Sequence, residues 1–213
     1  MTTWGVRPLA CTLAVALLLG IAGAYGAVDA LVLVSLPALA LIAYLGARAP
    51  LFFYLILERR GPRPDTNLWR WGVAAMLVAA AGLAFLTRRI DLLALAGIEV
   101  NLLYAGAKLG CANVGCCTAL KRWRFVSINL PIFEAALSLV PAIASMYLLF
   151  GVNQLELALA VAVAGHFCIR LLSYAARAER PALHEAGNSP DLVAALVVLG
   201  LTAALSYSGS LGA

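Results

Sequence analysis

Residues 104–118 read Tyr-Ala-Gly-Ala-Lys-Leu-Gly-Cys-Ala-Asn-Val-Gly-Cys-Cys-Thr. The run holds a cation at Lys108, an amide at Asn113 and three thiols at Cys111, Cys116 and Cys117. An aromatic hydroxyl opens it at Tyr104, and small glycines recur at Gly106, Gly110 and Gly115. Long stretches of Leu, Ala and Val lie on both sides. Charged and reactive groups are costly beside hydrocarbon, so a chain that keeps them there generally uses them. The stretch reads as the floor of an active or binding site.

Other residues of the same kind lie further along. Glu134 sits alone in an apolar run, where a carboxylate must be paired, protonated or turned to a wet cavity. His166 and Arg170 are four residues apart, which places them on one helix face. That face could meet Glu134 and Lys108 in a shared polar pocket. Otherwise His166 bonds a backbone carbonyl and Arg170 reaches the interface. Lys108 either pairs with Glu99 or Asp91, snorkels to head-group level, or binds an anionic head group. Gly106 and Gly110 have the spacing of a close-packing helix face. His184 falls in a loop and reads as exposed.

The thiols allow two further chemistries. A zinc site could draw on Cys111, Cys116 or Cys117, His166 and Cys168, but the spacings fit no standard pattern, so neither metal nor cofactor is expected. A redox pair among Cys111, Cys116, Cys117 and Cys168 stays open, since a nearby Lys108 would favour a thiolate. Five cysteines with no Cys-x-x-Cys make no secreted disulfide framework, and Cys11 reads as a small apolar residue.

The elements that must position these groups follow from composition. The chain has 213 residues, 64% hydrophobic and 12% charged, with a mean hydropathy of +0.97. A soluble domain is nearer a quarter charged, so the class is all-α integral membrane protein. A net charge of +5 fits basic loops beside anionic head groups better than a nucleic-acid surface. Apolar runs predict about seven spans, at residues 8–24, 30–47, 69–86, 90–109, 128–150, 155–176 and 192–207. Arg48 and Pro50 are expected to end the second, with 51–57 a helix extension or interfacial segment. Residues 58–65 form a Pro/Gly loop, and Pro131 and Pro141 are kink sites. Arg7 ahead of an apolar run resembles a signal peptide, but an uncleaved first helix is expected because more spans follow. The whole chain, 1–213, is one membrane domain with its polar motifs in 104–170. Lys and Arg counts place the N-terminus in the cytoplasm, and with it the basic cluster at 121–124.

At three places the chain resembles bacterial prolipoprotein diacylglyceryl transferases and their shorter relatives. The family signature, Gly-Arg-Ile/Leu-Gly-Asn-x-x-x-Gly-Glu, with Gly-Cys-x-x-x-x-Cys-Cys in compact relatives, is matched without a gap by Ala-Lys-Leu-Gly-Cys-Ala-Asn-Val-Gly-Cys-Cys at 107–117. The Leu-Tyr-Glu-Ala element is matched by Ile-Phe-Glu-Ala at 132–135, and Arg-Phe-x-x-Glu by His-Phe-Cys-Ile-Arg at 166–170. The resemblance implies a helical enzyme of the bacterial cytoplasmic (inner) membrane, open sideways to lipid. Members move diacylglycerol from phosphatidylglycerol to a lipobox cysteine of a preprolipoprotein, with the signature and late-span arginines holding the phosphate. Here those positions carry Lys108 and His166, with Cys111 for the amide, Cys116 for the signature glutamate and Arg170 for the late one. The family signature faces the outside of the membrane, opposite to the charge count.

The resulting expectation is a phospholipid-dependent membrane transferase. Glu134, His166, Cys111 and Cys116 are its candidate catalytic residues. Lys108, Asn113, Arg170 and Tyr104 would bind an anionic, phosphatidylglycerol-like lipid, and a preprolipoprotein or other thiol would be the acceptor. The alternatives are a thiol redox or metal-binding membrane protein, and a lipid-binding paralogue without catalysis.

Overall fold

A computed structural model describes residues 3–56, 69–114 and 129–176. These are α-helical, with no strand among the described residues: α1 (Thr3–Ala24), α2 (Ala30–Ile56), α3 (Trp69–Thr87), α4 (Ile90–Val114), α5 (Leu130–Met146) and α6 (Leu155–Ala176). A π-helical turn, Tyr147–Gly151, continues α5. The expected span at 192–207, the loops at 58–65 and 177–191 with His184, and the basic cluster at 121–124 lie outside the described residues.

Four of these helices are long and apolar enough to cross a membrane, with windows Ala30–Ala49, Ile90–Asn113, Leu130–Gly151 and Leu155–Ser173. Shorter apolar stretches occupy Leu9–Ala24 in α1 and Trp71–Thr87 in α3. The outward faces are apolar: Val34, Leu86, Val140, Ile143 and Leu172 are all exposed. An apolar surface of this extent suits hydrocarbon and not water. The chain is a membrane protein.

Three boundaries differ from expectation. α2 runs through Arg48 and Pro50 to Ile56, because proline removes one ladder bond without ending an apolar membrane helix. α4 continues past Leu109 to Val114, so Cys111 and Asn113 belong to the helix. Pro131 falls in the first turn of α5 and makes no kink there, since the N–H it lacks has no partner in a first turn. Pro141 alone lies inside α5.

α4 is the axis of the bundle. It packs against α1, α2, α3, α5 and α6, and 83% of its span is buried against 33% for each of the other three. That shielding lets it carry Glu99, Asn101 and Lys108 without facing lipid. Its neighbours approach closely over small residues. Gly106 abuts Ala10 of α1, where a Cβ would meet the Ala10 carbonyl carbon at 3.2 Å. Gly97 faces Ala162 of α6 at 3.0 Å by the same measure. The expected close-packing role of Gly106 is therefore directed at α1.

The tightest contact joins α2 and α3. A Cβ on Gly72 would run into the Ala43 carbonyl oxygen, and one on Gly46 would lie 2.9 Å from the Ala75 Cβ. No rotamer change can move a backbone oxygen, so the helices must part. Gly72→Leu is expected to destabilise the fold by about 1–3 kcal/mol, the usual cost of overpacking. Denaturant titration in detergent checks this, and Gly82→Leu, where nothing lies within 4 Å, is the matched control.

Three turns gather at one end of the bundle. In the α1–α2 turn, Gly26 takes a left-handed φ of 69° and Asp29 caps α2 by accepting the Val32 N–H at 2.8 Å. Arg89 of the α3–α4 turn pairs with Asp29 and forks onto Asp91 at 2.6 and 3.2 Å. Tyr25 stacks on Phe150 at 5.3 Å, bringing in the turn after α5. The Val32 N–H, then Arg89, hold the Asp29 carboxyl below its ordinary 3.8. A lowered folded-state pKa gives stability that is complete above the unfolded value and is lost as pH falls through the folded one. Asp29→Asn keeps the cap and removes the charge. Thermal unfolding followed from neutral pH into the acid range is expected to show a shallower acid loss in D29N than in the parent chain.

Candidate functional site

Three of the four sequence-selected residues of α4 lie on one stripe. Tyr104, Lys108 and Cys111 recur at i, i+4 and i+7, and all three are buried, at 4%, 6% and 7% exposure. The facing stripe of α5 runs Pro131, Glu134, Ala135, Ser138, Pro141, Ala142 and Ser145, all buried. The two stripes bring Lys108 Nζ onto Glu134 Oε2 as an ion pair. Glu134 is fully buried, and Ser138 Oγ donates to the Glu134 carbonyl at 3.0 Å.

Aromatic rings extend the group to α6. Lys108 Nζ lies 5.1 Å from the Tyr104 ring centre, within cation–π range. His166 of α6 also meets the Tyr104 ring, at 5.2 Å and nearly perpendicular. His166 is 2% exposed and touches Phe167 at 5.8 Å. Arg170, half-buried one turn further along α6, is close enough for its charge to act on the imidazole. A chain of contacts thus runs across three helices from Glu134 through Lys108 and Tyr104 to His166, with Arg170 near His166. At a rise of about 1.5 Å per residue, Lys108 lies roughly 9 Å inside the end of α4. The site occupies the end of the bundle opposite the three gathered turns.

The structure corrects the partner of Lys108. It is neither Glu99 nor Asp91. Asp91 is engaged by Arg89 at the other end of α4, and Glu99, nine residues before Lys108, falls on the opposite helix face. Both Glu99 carboxylate oxygens are buried with no hydrogen-bond partner among the described residues. Nor does Lys108 snorkel: its charge is met inside the bundle.

The remaining candidates are dispersed. Asn113 is exposed in the last turn of α4, outside the buried group. Cys168 is exposed on α6, and Cys11 and Cys111 are likewise outside any disulfide among the described residues. Cys116 and Cys117 lie outside the described residues. No group of three or more His, Cys, Asp or Glu side chains that could hold a metal occurs among the described residues.

One buried group was not singled out by its sequence context. Asn101 Nδ2 donates to the carbonyl oxygens of Gly97 and of Ala162 on α6, both at 2.9 Å. It therefore ties α4 to α6 one turn below Tyr104. The available signal was its place in the same apolar run as Lys108, but an amide in such a run does not say which helix it will bridge.

Electrostatically the site is a buried pair and not an isolated cation. Removing two ions from water costs several kcal/mol each, and their attraction returns that only in good geometry. An ammonium carries three N–H donors, which suits it to a phosphate as well as to a carboxylate. A carboxylate held against it is a ready proton acceptor.

Comparison of the chain with models of protein families, with curated proteins and with solved structures finds no match in any of the three.

Proposed function

We propose that the chain is a phospholipid-dependent transferase of the bacterial cytoplasmic membrane, similar in reaction to the prolipoprotein diacylglyceryl transferases. It would cross the bilayer about seven times, with residues 192–207 as the last span. The observation that supports this most is the buried Lys108–Glu134 pair, with the Tyr104 ring against the ammonium. A buried ion pair stabilises a fold weakly at best, so its presence in a lipid-facing bundle favours a chemical use.

In this reading Lys108 and Arg170 hold the phosphate of a phosphatidylglycerol-like lipid, and Glu134 is the acid–base group. An acceptor thiol gives its proton to Glu134. The resulting thiolate attacks the glycerol carbon that bears the phosphate, forming a C–S bond as the C–O bond breaks. Glycerol phosphate leaves with the electron pair of that bond, and no redox partner is needed. The cations offset the charge that grows on the departing phosphate, the kind of stabilisation that usually dominates such steps.

The test is mass spectrometry of lipids and proteins from bacterial cells with and without the chain. A lipid-modified product that requires the chain and disappears in Lys108→Ala is expected. Undiminished product in K108A would remove the head-group role.

A further inference from the structure

Glu99 has no part in the reaction above. At a rise of about 1.5 Å per residue it lies roughly 14 Å from one end of α4 and roughly 22 Å from the other. A carboxyl at that depth must be paired, open to water or protonated. Solvent does not reach it, since the residue is 0% exposed. Neither carboxylate oxygen has a hydrogen-bond partner among the described residues.

Its surroundings supply no counter-charge either. Glu99 shares a face of α4 with Leu92, Leu95, Leu103 and Gly106, and the three leucines are buried. That face is turned to α1, where Gly106 abuts Ala10. The two helices run antiparallel, because the α1–α2 and α3–α4 turns meet through Asp29 and Arg89. Glu99 is seven residues back from Gly106, and Leu17 is seven on from Ala10. The stretch of α1 level with Glu99 is therefore Ala-Val-Ala-Leu-Leu at 14–18. No Asp, Glu, Lys or Arg occurs in 8–24 of α1, 30–47 of α2 or 71–87 of α3, and the titratable groups there are Cys11 and Tyr44. Cys11 is next to Ala10, nearer the level of Gly106, and Tyr44 is exposed with Arg48 over its ring at 4.5 Å. Arg89 holds Asp29 and Asp91, and Glu134 of α5 is taken by Lys108. α6 meets α4 through Gly97 and Tyr104, nearly half a turn round from Glu99. Its Glu156, His166 and Arg170 accordingly lie on the far side.

We propose that Glu99 is a proton-binding site, held between α4 and α1 as a neutral carboxylic acid that exchanges its proton with water. A proton is the ligand such a place takes, because it needs no cavity and leaves no net charge in an apolar contact. The site lies on the face of α4 opposite the Lys108–Glu134 pair and stands whether or not the chain is a transferase.

The test is infrared spectroscopy of the full chain in maltoside micelles, which contribute no ester or acid carbonyl. At neutral pH the parent chain is expected to show the C=O stretch of a carboxylic acid. That band should shift when the protein is grown on isotope-labelled glutamate, and move again on transfer to heavy water. Glu99→Gln is expected to lose it, while Glu156→Gln, at an exposed position, keeps it at full intensity. Glu99→Asp, a smaller change, should keep an acid band that no longer responds to labelled glutamate. Absence of the band from the parent chain overturns the proposal and means that Glu99 is ionised beside a counter-charge. A band that survives in E99Q belongs to another residue and overturns it equally. So does a band unmoved in heavy water, whose proton does not exchange. Two of these readings need only the parent chain, and E99D assigns the band should E99Q fail to fold.

Discussion

Replacing Glu134 by leucine is expected to destabilise the protein by about 3–5 kcal/mol, far more than the loss of a typical surface pair. Lys108 is 7% exposed and Glu134 fully buried at the side chain. Taking away the carboxylate leaves an ammonium inside the bundle with its main counter-charge gone. The Tyr104 ring face offsets only part of this, since a desolvated cation–π contact contributes about 2 kcal/mol. The loss is read by denaturant titration of the purified protein in micelles, against Leu139→Ala as a lipid-facing control on the same helix. An E134L variant as stable as the parent would mean that Lys108 does not depend on Glu134.

The second large effect separates stability from chemistry. Changing both members together, Lys108→Met with Glu134→Leu, is expected to restore most of the lost stability. A buried pair replaced by apolar groups of similar volume is often neutral, or stabilising by about 1–4 kcal/mol. On the transferase reading, lipid turnover should not return with it, because the proposed phosphate site has lost Lys108 and the acceptor its proposed base. The coupling from the double-mutant cycle gives the interaction of the pair directly. A double variant that remains as destabilised as E134L would point to a specific packing role for the two side chains.

Much of the fold was legible because membrane helices announce themselves by length and apolarity. The boundaries of the sixth expected span, 155–176, match α6, and the fourth and fifth depart by only a few residues at their ends. Proline was the misleading signal. Pro50 and Pro131 read as an end and a kink, yet α2 passes the first and α5 holds the second in its first turn. The stop rule is weaker in a long apolar run, where continuing the helix is the only way to satisfy the backbone. The π-helical turn after α5 had no sequence mark; within it the Tyr147 ring lies against Gly151.

The site was legible in its members and less so in its pairing. Lys108, Glu134 and His166 were chosen because charge and imidazole are rare in such runs, and the structure groups them around Tyr104. The partner of Lys108 was not readable, because helical spacing orders residues within α4 but says nothing about which neighbour turns toward it. Glu99 looked closer along the chain, but it faces away. Asn113 and Cys168 were included by type alone, and both lie exposed.

The most direct measurement is release of glycerol phosphate from phosphatidylglycerol nanodiscs supplied with a cysteine-containing acceptor peptide, comparing the parent chain with the K108M/E134L double variant at equal folded concentration. Release by the parent chain, together with a matching diacylglyceryl thioether on the peptide and neither product from the double variant, is the expected result. Equal release by the two proteins, or none by the parent chain, would contradict a role for the Lys108–Glu134 pair in lipid transfer.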